Sequence, residues 1–308
     1  MSDSVFIKDN LKGSVPKEIA SEVIKNIVTQ SVAFSVCKHV PMSSDKKVLP
    51  MLSDTGTAYW VGEGESIGTS VHGWEYPELE AKKLAVIIPV TKEKLNDSVI
   101  SVMSEIQQGI SDAFTRSIDS AIFFGTNSPF DTNVADSVIV GSKIENTGKL
   151  DIDISNAMSK VEANDLVVNG ILAPNSIKGT LRTLRDVNGN ALVIPGGFTG
   201  TQLYNTPIHI PTSNVWDPEK AYSIVGDFNK AIIGTRDNMS YEILDQATVG
   251  GVNLAEKDLL AVKCTMRLGF KVVDTKAFAL VKPSEWASDE VAMVGVAMTG
   301  KSKTVKSE

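Results

Sequence analysis

Two stretches match patterns that do chemistry. Gly295-Val-Ala-Met-Thr-Gly300-Lys301-Ser302 fits the phosphate-cradling loop of nucleotide-binding proteins. In that loop glycine-rich backbone amides and the following helix N-terminus hold phosphate, while the lysine reaches the terminal phosphates. Only six residues, Lys303 to Glu308, follow here, too few for that helix. Gly64-Glu-Ser66-Ile-Gly68 fits the nucleophile elbow of serine hydrolases. An elbow must join a buried strand to a helix so that the serine stands exposed above a sheet. The flanks of Ser66 are instead glycine-rich and extended, with His72 and His209 as the only candidate bases. Gly62, Gly64 and Gly68 come near a dinucleotide fingerprint, but the spacing is one residue too long and no helix pattern follows. Three histidines and two cysteines, all far apart, give no metal-ligand spacing. No carboxylate pair stands out for acid–base work. The sequence therefore predicts no catalytic residue, no cofactor site and no metal site, and the chain reads as a non-enzyme.

Composition narrows the class further. A hydrophobic content of 42% with 22% charged residues describes a core-forming chain of one large domain or two smaller ones. The net charge of −7 argues against a surface built to grip nucleic acid, which needs a concentrated positive field. Only Lys301, Lys303 and Lys306 make a locally basic stretch, read as a solvated tail. Cys37 and Cys264 give no disulfide framework and read as small core residues in a reducing compartment. The N-terminus shows no secretory signal, and no apolar run approaches the roughly 18 residues of a membrane span. Folding in a cytoplasm is the expectation.

The elements are unusual in order. Residues 1–13 read as an extended arm, and Ser14-Val-Pro16 opens a short helix with Ile19, Val23 and Ile27 on its buried face. A strand is expected from Ser31 to Val40. Residues 53–80 are different in kind: five glycines, the aromatics Tyr59, Trp60, Trp74 and Tyr76, and the acids Glu63, Glu65, Glu75, Glu78 and Glu80. Such glycine density excludes a helix and fits two extended segments turning near Gly64–Thr69. A long hairpin cannot bury its own aromatics, so it is expected to dock on a partner. The apolar run Leu84–Val90, interrupted by Pro89, leads into a long amphipathic pattern with Val99, Met103, Ile106, Ile110, Ala113, Phe114 and Ala121 on one face. A helix from about Asp97 to Phe123 would span roughly 40 Å. Thr91 or Asp97 could cap its start, and Gly125 is placed to end it.

Beyond it, Ser137–Val140 is a strand candidate, and residues 151–214 alternate helix and strand patterns as a separate lobe would. A helix is expected around Ile154–Val161, a strand at Leu166–Ala173, a helix from Pro174 to Leu184, a turn at Asn188-Gly189-Asn190, and an extended run from Gln202 to Pro211. Leu260–Val272 alternates strictly: Leu260, Val262, Cys264, Met266, Leu268, Phe270 and Val272 are apolar, and the residues between are largely basic or polar. This predicts a strand with one buried face, turned toward the apolar stripe of the long helix. Ala277–Val281 is a further strand candidate.

That ordered set resembles the major capsid protein of tailed bacteriophages, the family with the Hong Kong-97 fold. Ala58-Tyr-Trp-Val-Gly-Glu63-Gly-Glu-Ser-Ile67 looks like the family's hairpin segment, and residues 79–98 are similar to its entry into the spine helix. Asp112-Ala-Phe114, Ile118-Asp119-Ser-Ala-Ile122 and Phe124-Gly125-Thr126 resemble the helix end. Gly226-Asp227-Phe228, Ile233-Gly234, and Arg267 ahead of Ala277-Phe278-Ala279 look like the strand-rich return.

The resemblance, over residues 16–283, implies an α+β fold. Its expected parts are an N-arm and first helix (1–30), a peripheral-domain strand (31–52) and an extended loop (53–83). A peripheral domain with the spine helix (84–150), an axial domain (151–220), return strands (221–284) and a tail (285–308) follow. It implies a non-enzymatic shell protein assembling as hexamers and pentamers around double-stranded DNA in a bacterial cytoplasm. Its implied partners are copies of itself, a separate scaffolding protein and a portal protein, with no membrane. Trp60, Glu63, Trp74 and Tyr76 become the intersubunit contact candidates, and Met103, Ile106, Ile110 and Phe114 the spine-helix core. Lys82 and Lys83 lie at the loop's base, so the covalent crosslinks of some family members are not expected. Two alternatives stand beside this: an encapsulin-like compartment shell, and a serine hydrolase using Ser66.

Overall fold

The computed structural model describes residues 30–283 except 55, 57, 59, 67, 70–72, 92–101, 184–201 and 213. Several expectations lie outside these: the Ser14 helix, the Asp97 cap and Val99 start of the long helix, the Asn188 turn, the phosphate-loop match and the basic tail; Thr91, the other cap candidate, is instead the last residue of a strand, paired with Leu259. The described chain forms two compact units, the first drawn from residues up to 134 with 228–274, and the second from residues 135–227 with those described from 275 onward.

The first unit is built on a four-stranded sheet, ordered Lys38–Pro41, Ala231–Leu244, Leu259–Val272, Lys82–Thr91. The alternating strand Leu259–Val272 sits second from one edge, antiparallel to both neighbours. Its even-numbered positions from Val262 to Val272 are buried, while Lys263, Thr265, Arg267 and Lys271 are half-exposed, as period-two patterning requires. Lys82–Thr91 is the edge strand, which explains how it holds Pro89, opposite Ala261, without breaking a central ladder.

The long helix runs Val102–Phe124. Gly125 adopts φ +69° and donates its amide to the Ala121 carbonyl, the left-handed stop expected of a glycine there. A Cβ on Gly125 would also lie 2.5 Å from the Asn133 side-chain nitrogen. Ile110, Phe114, Ile118 and Ala121 are buried, and by its last turn Ile122, Phe123 and Phe124 are all fully enclosed. The helix touches the edge strand and a short helix at Val32–Val36. Leu268 of the alternating strand shares a cavity wall with Ile118 and Ala121, and Phe270 packs on Phe130 just beyond the helix.

The segment Ser31–Val40 departs from expectation. It is a five-residue helix, Val32–Val36, followed by a strand from Lys38 to Pro41. Five residues are too few for a helix to hold alone. Ser31 caps it through Phe34 N–H, and Asp119 of the long helix accepts from Ser31 Oγ at 2.6 Å and from the amides of Val32 and Ala33 at 3.1 Å each. A carboxylate 88 residues away thus supplies the cap. Burial raises the Asp119 carboxyl above the ordinary aspartate range, against the lowering pull of those three donors. Burial and the nearby Asp119 charge likewise push the Cys37 thiol far up, so it stays a protonated core residue.

The second unit holds a six-stranded sheet, ordered Lys143–Ile144, Phe278–Val281, Ser223–Gly226, Gly170–Leu172, Thr206–His209, Gln202–Leu203. Helix Leu150–Glu162 lies on it, burying Leu150, Ile154, Ala157 and Val161 against Ile171, Val225, Ala279 and Val281. Thr147 donates its amide and hydroxyl to Asp153 in the helix's first turn, fixing the entry. The helix Ile177–Thr183 starts three residues after Pro174, and Ile177 and Leu181 join the same core. The strand expected at Ser137–Val140 does not form. Val134–Ser137 is one helical turn and Val140–Ser142 a 3₁₀ turn. Four residues without a paired neighbour have no ladder to join.

Candidate assembly surfaces

Among the described residues no group of three or more His, Cys, Asp or Glu is placed to hold a metal ion. Ser66 is exposed, and its described flanks are neither strand nor helix, so the elbow that would activate it does not form. The chain's organised exposed chemistry is on the hairpin.

The hairpin runs out from Asp45 and back to Ala81. Lys46–Val48 pairs with Glu78–Glu80, and Met51–Asp54 pairs with Gly73–Glu75. Between these ladders Leu49 donates to the Pro77 carbonyl, and at the root Ala81 donates to Asp45. At the tip Glu65 donates to the Gly62 carbonyl and accepts from the Gly62 amide through its side chain, with Gly64 at φ +85°. That turn, Gly62–Glu65, falls slightly before the expected Gly64–Thr69 and lies midway between Asp54 and Gly73. Positive φ at the third position is what a type II turn demands of glycine.

The root is fastened hard. Gly234 and Gly269 face each other across the central strands, and the returning arm of the hairpin crosses them. A Cβ on Gly269 would sit 2.7 Å from the Glu80 carbonyl oxygen. One on Gly234 would sit 2.4 Å from both Leu79 Cδ2 and Met42 Sδ. Leu79 is fully buried there with Met42 and Ile232. Asp45 pairs with Arg236 and Arg267, one from each central strand, and Glu80 with Lys82 at 2.7 Å. These exposed pairs add direction more than energy.

The tip is the opposite. Trp60 is fully exposed, and Glu63 and Glu65 nearby are exposed as well. Along the arms Trp74 is 55% and Tyr76 63% exposed, and Leu52, directly across from Trp74, is 44% exposed. The four contact candidates are therefore all solvent-facing on one hairpin. Tryptophan and tyrosine carry large apolar area and are over-represented at binding hot spots. Of the helix-core candidates, Ile110 and Phe114 are buried and Ile106 half-buried, while the Met103 side chain lies outside the described set.

Sequence reasoning missed two features: the buried Asp119, hidden as one polar residue in a helix, and a cavity of about 260 Å³ between that helix and the edge strand. Leu84, Ile118, Ala121, Phe130 and Leu268 form its apolar wall, with Lys82 and Lys83 at the strand end.

Comparison with known proteins fits this architecture. Residues 13–282 match the model of the phage capsid family. The chain is 28% identical over 299 residues to the major capsid protein of Staphylococcus phage 80alpha, covering 94% of this chain and 91% of that one. It is 23% identical to the probable major capsid protein gp17 of Mycobacterium phage L5, covering 90% of each. Among solved structures it superposes on a chain from Microbacterium phage Oxtober96 with a TM-score of 0.75 at 29% identity, covering 83% of this chain and 91% of that one. A chain from Mycobacterium phage Bobi gives 0.72 at 25% identity over 92% and 96%. With its spine helix, protruding hairpin and two sheet-based units matched along nearly their whole length, the chain belongs to the phage capsid family and is a tailed-phage major capsid protein of Hong Kong-97 type.

Proposed function

We propose that this chain assembles as hexamers and pentamers into an icosahedral shell enclosing double-stranded DNA, with its hairpin carrying one intersubunit contact. In this reading residues 53–83 are the extended loop, 84–150 the peripheral domain with its spine, 151–220 the axial domain and 221–284 the return. Residues 1–30 form an arm. The observation that carries the reading is the hairpin: its root is locked to the sheet while Trp60, Trp74 and Tyr76 stand in solvent. Exposed aromatics on a rigid projection cost solubility unless another surface covers them. Identical surfaces repeated under closed symmetry supply that cover many times over, so modest contacts suffice for a stable container. The net charge of −7 suits a wall that surrounds DNA without gripping it. Ile106, Ile110 and Phe114 hold the spine in the core, while Trp60, Glu63, Trp74 and Tyr76 meet the neighbour. A scaffolding protein and a portal are the further partners, and assembly takes place in the host cytoplasm. Negative-stain microscopy of the expressed chain, alone and with a candidate scaffold, tests this. Closed shells or capsomers are expected; monomers under every condition would overturn it.

A further inference from the structure

The most exposed large side chain of the hairpin and the cavity beside the spine helix are complementary in size, polarity and charge. Trp60 stands fully in solvent two residues before the Gly62–Glu65 turn, next to Val61 and near the carboxylates of Glu63 and Glu65. The cavity of about 260 Å³ is walled by Leu84, Ile118, Ala121, Phe130 and Leu268. Ile118, Ala121 and Leu268 are themselves buried, so these walls are part of the fixed core. A dry apolar cavity of roughly 150 Å³ takes benzene, so this one has room for an indole. Its lining also takes in Lys82 and Lys83, Ser117 and Ser120, and Thr126, Asn127 and Pro129 of the loop after the helix, and Lys83 is exposed to solvent.

We infer that the cavity is the receptor for Trp60 of a neighbouring copy of this chain, with Glu63 and Glu65 lying against the lysines of its lining. The inference rests on the proposed shell assembly and names the contact within it. A second copy is the occupant because the chain's own tip is held away. The hairpin leaves the sheet at Asp45 and returns at Ala81, immediately before Lys82. Backbone contact at Gly269 and the pairing of Asp45 with two arginines hold that root on the sheet, while Trp60 at the far end stands in solvent rather than in the cavity of its own chain. An indole in a desolvated pocket ringed by opposite charges has the composition of a hot spot with its rim.

Thiol crosslinking in assembled protein tests this. The native Cys37 and Cys264 are buried, so introduced thiols dominate the reaction. Val61→Cys and Ser120→Cys are made as separate chains, co-assembled, and treated with a short bismaleimide. Covalent dimers are expected on denaturing gels, since neither single variant can link to itself by this contact. The double variant should give a ladder of covalent oligomers. Adding Trp60→Ala should cut the crosslinked fraction by roughly tenfold or more, the scale of losing a hot-spot side chain. Normal particles that yield no dimer from the mixed singles would overturn this contact and leave the shell reading standing. An intramolecular band without a ladder from the double variant would overturn it as well, showing the tip seated on its own chain. If the unaltered chain never assembles, the shell reading falls and takes this inference with it.

Discussion

Replacing Gly269 with alanine would place a methyl group 2.7 Å from the Glu80 carbonyl oxygen and 3.2 Å from Leu79 Cγ, where ordinary contact begins near 3.4 Å. The nearest atom is backbone, so rotamer change cannot relieve the clash. Either the hairpin root lifts by more than half an ångström or the two central strands shift. Overpacking of this kind costs about 1–3 kcal/mol. Gly234→Ala is the matched comparison, because Gly234 is the cross-strand partner of Gly269 and buried in the same layer. Its new methyl would meet only the ends of the Leu79 and Met42 side chains, both 2.4 Å away. Methionine repacks readily, so about 1 kcal/mol or less is expected there. At about 2 °C per kcal/mol for a chain of this size, Gly269→Ala should lower the melting midpoint by about 2–6 °C, and Gly234→Ala by less. Circular dichroism melts of the two variants in parallel decide it. If Gly269→Ala melts with the unaltered chain, or Gly234→Ala is the worse of the pair, the root is not fixed by backbone contact.

Asp119→Ala should strand Ser31 Oγ and the amides of Val32 and Ala33 in a buried site, lowering stability by about 1–3 kcal/mol in denaturant titrations. Because the folded Asp119 carboxyl titrates above its unfolded value, its contribution is complete below the ordinary aspartate pKa and is lost as pH rises through the raised one. The unaltered chain should therefore lose stability across that acid window more steeply than Asp119→Ala; parallel slopes would refute the assignment. In the spine helix, Gly109→Ala meets nothing within 4 Å and should gain up to about 1 kcal/mol in helix propensity, whereas Gly125→Ala must lose stability through its φ of +69° and the clash with Asn133. Equal melting midpoints for these two would contradict the helix end described here. Ile110→Pro, in the buried middle of the helix, should cost about 3 kcal/mol or more and abolish particles in micrographs; normal shells from it would show that the spine carries no assembly role.

What could be read from the sequence was what repeats locally. The alternating strand, the long helix and its stop at Gly125 each declare themselves within a few residues, since side-chain period and a glycine's φ are local properties. The hairpin was legible as composition, and the exposure of its four contact candidates with it. What escaped was decided from a distance. Val32–Val36 is held by Asp119 as well as by its own Ser31 cap, and nothing between Ser31 and Val40 announces that distant carboxylate. Gly234 and Gly269 look like two weak points in good strands until Leu79 and Glu80 are seen crossing them. The cavity draws its wall from two strands, a helix and the loop after it, so no single stretch of sequence outlines it.

The Asp119 cap has a mechanical meaning. The short helix Val32–Val36 keeps its shape on loan from the spine, through three hydrogen bonds to one carboxylate. Any tension on the residues that precede Ser31 therefore arrives first at this mooring, before it can reach the sheet. If the mooring slips, the short helix has too little of its own propensity to survive, and the strand Lys38–Pro41 is the next point to take the load.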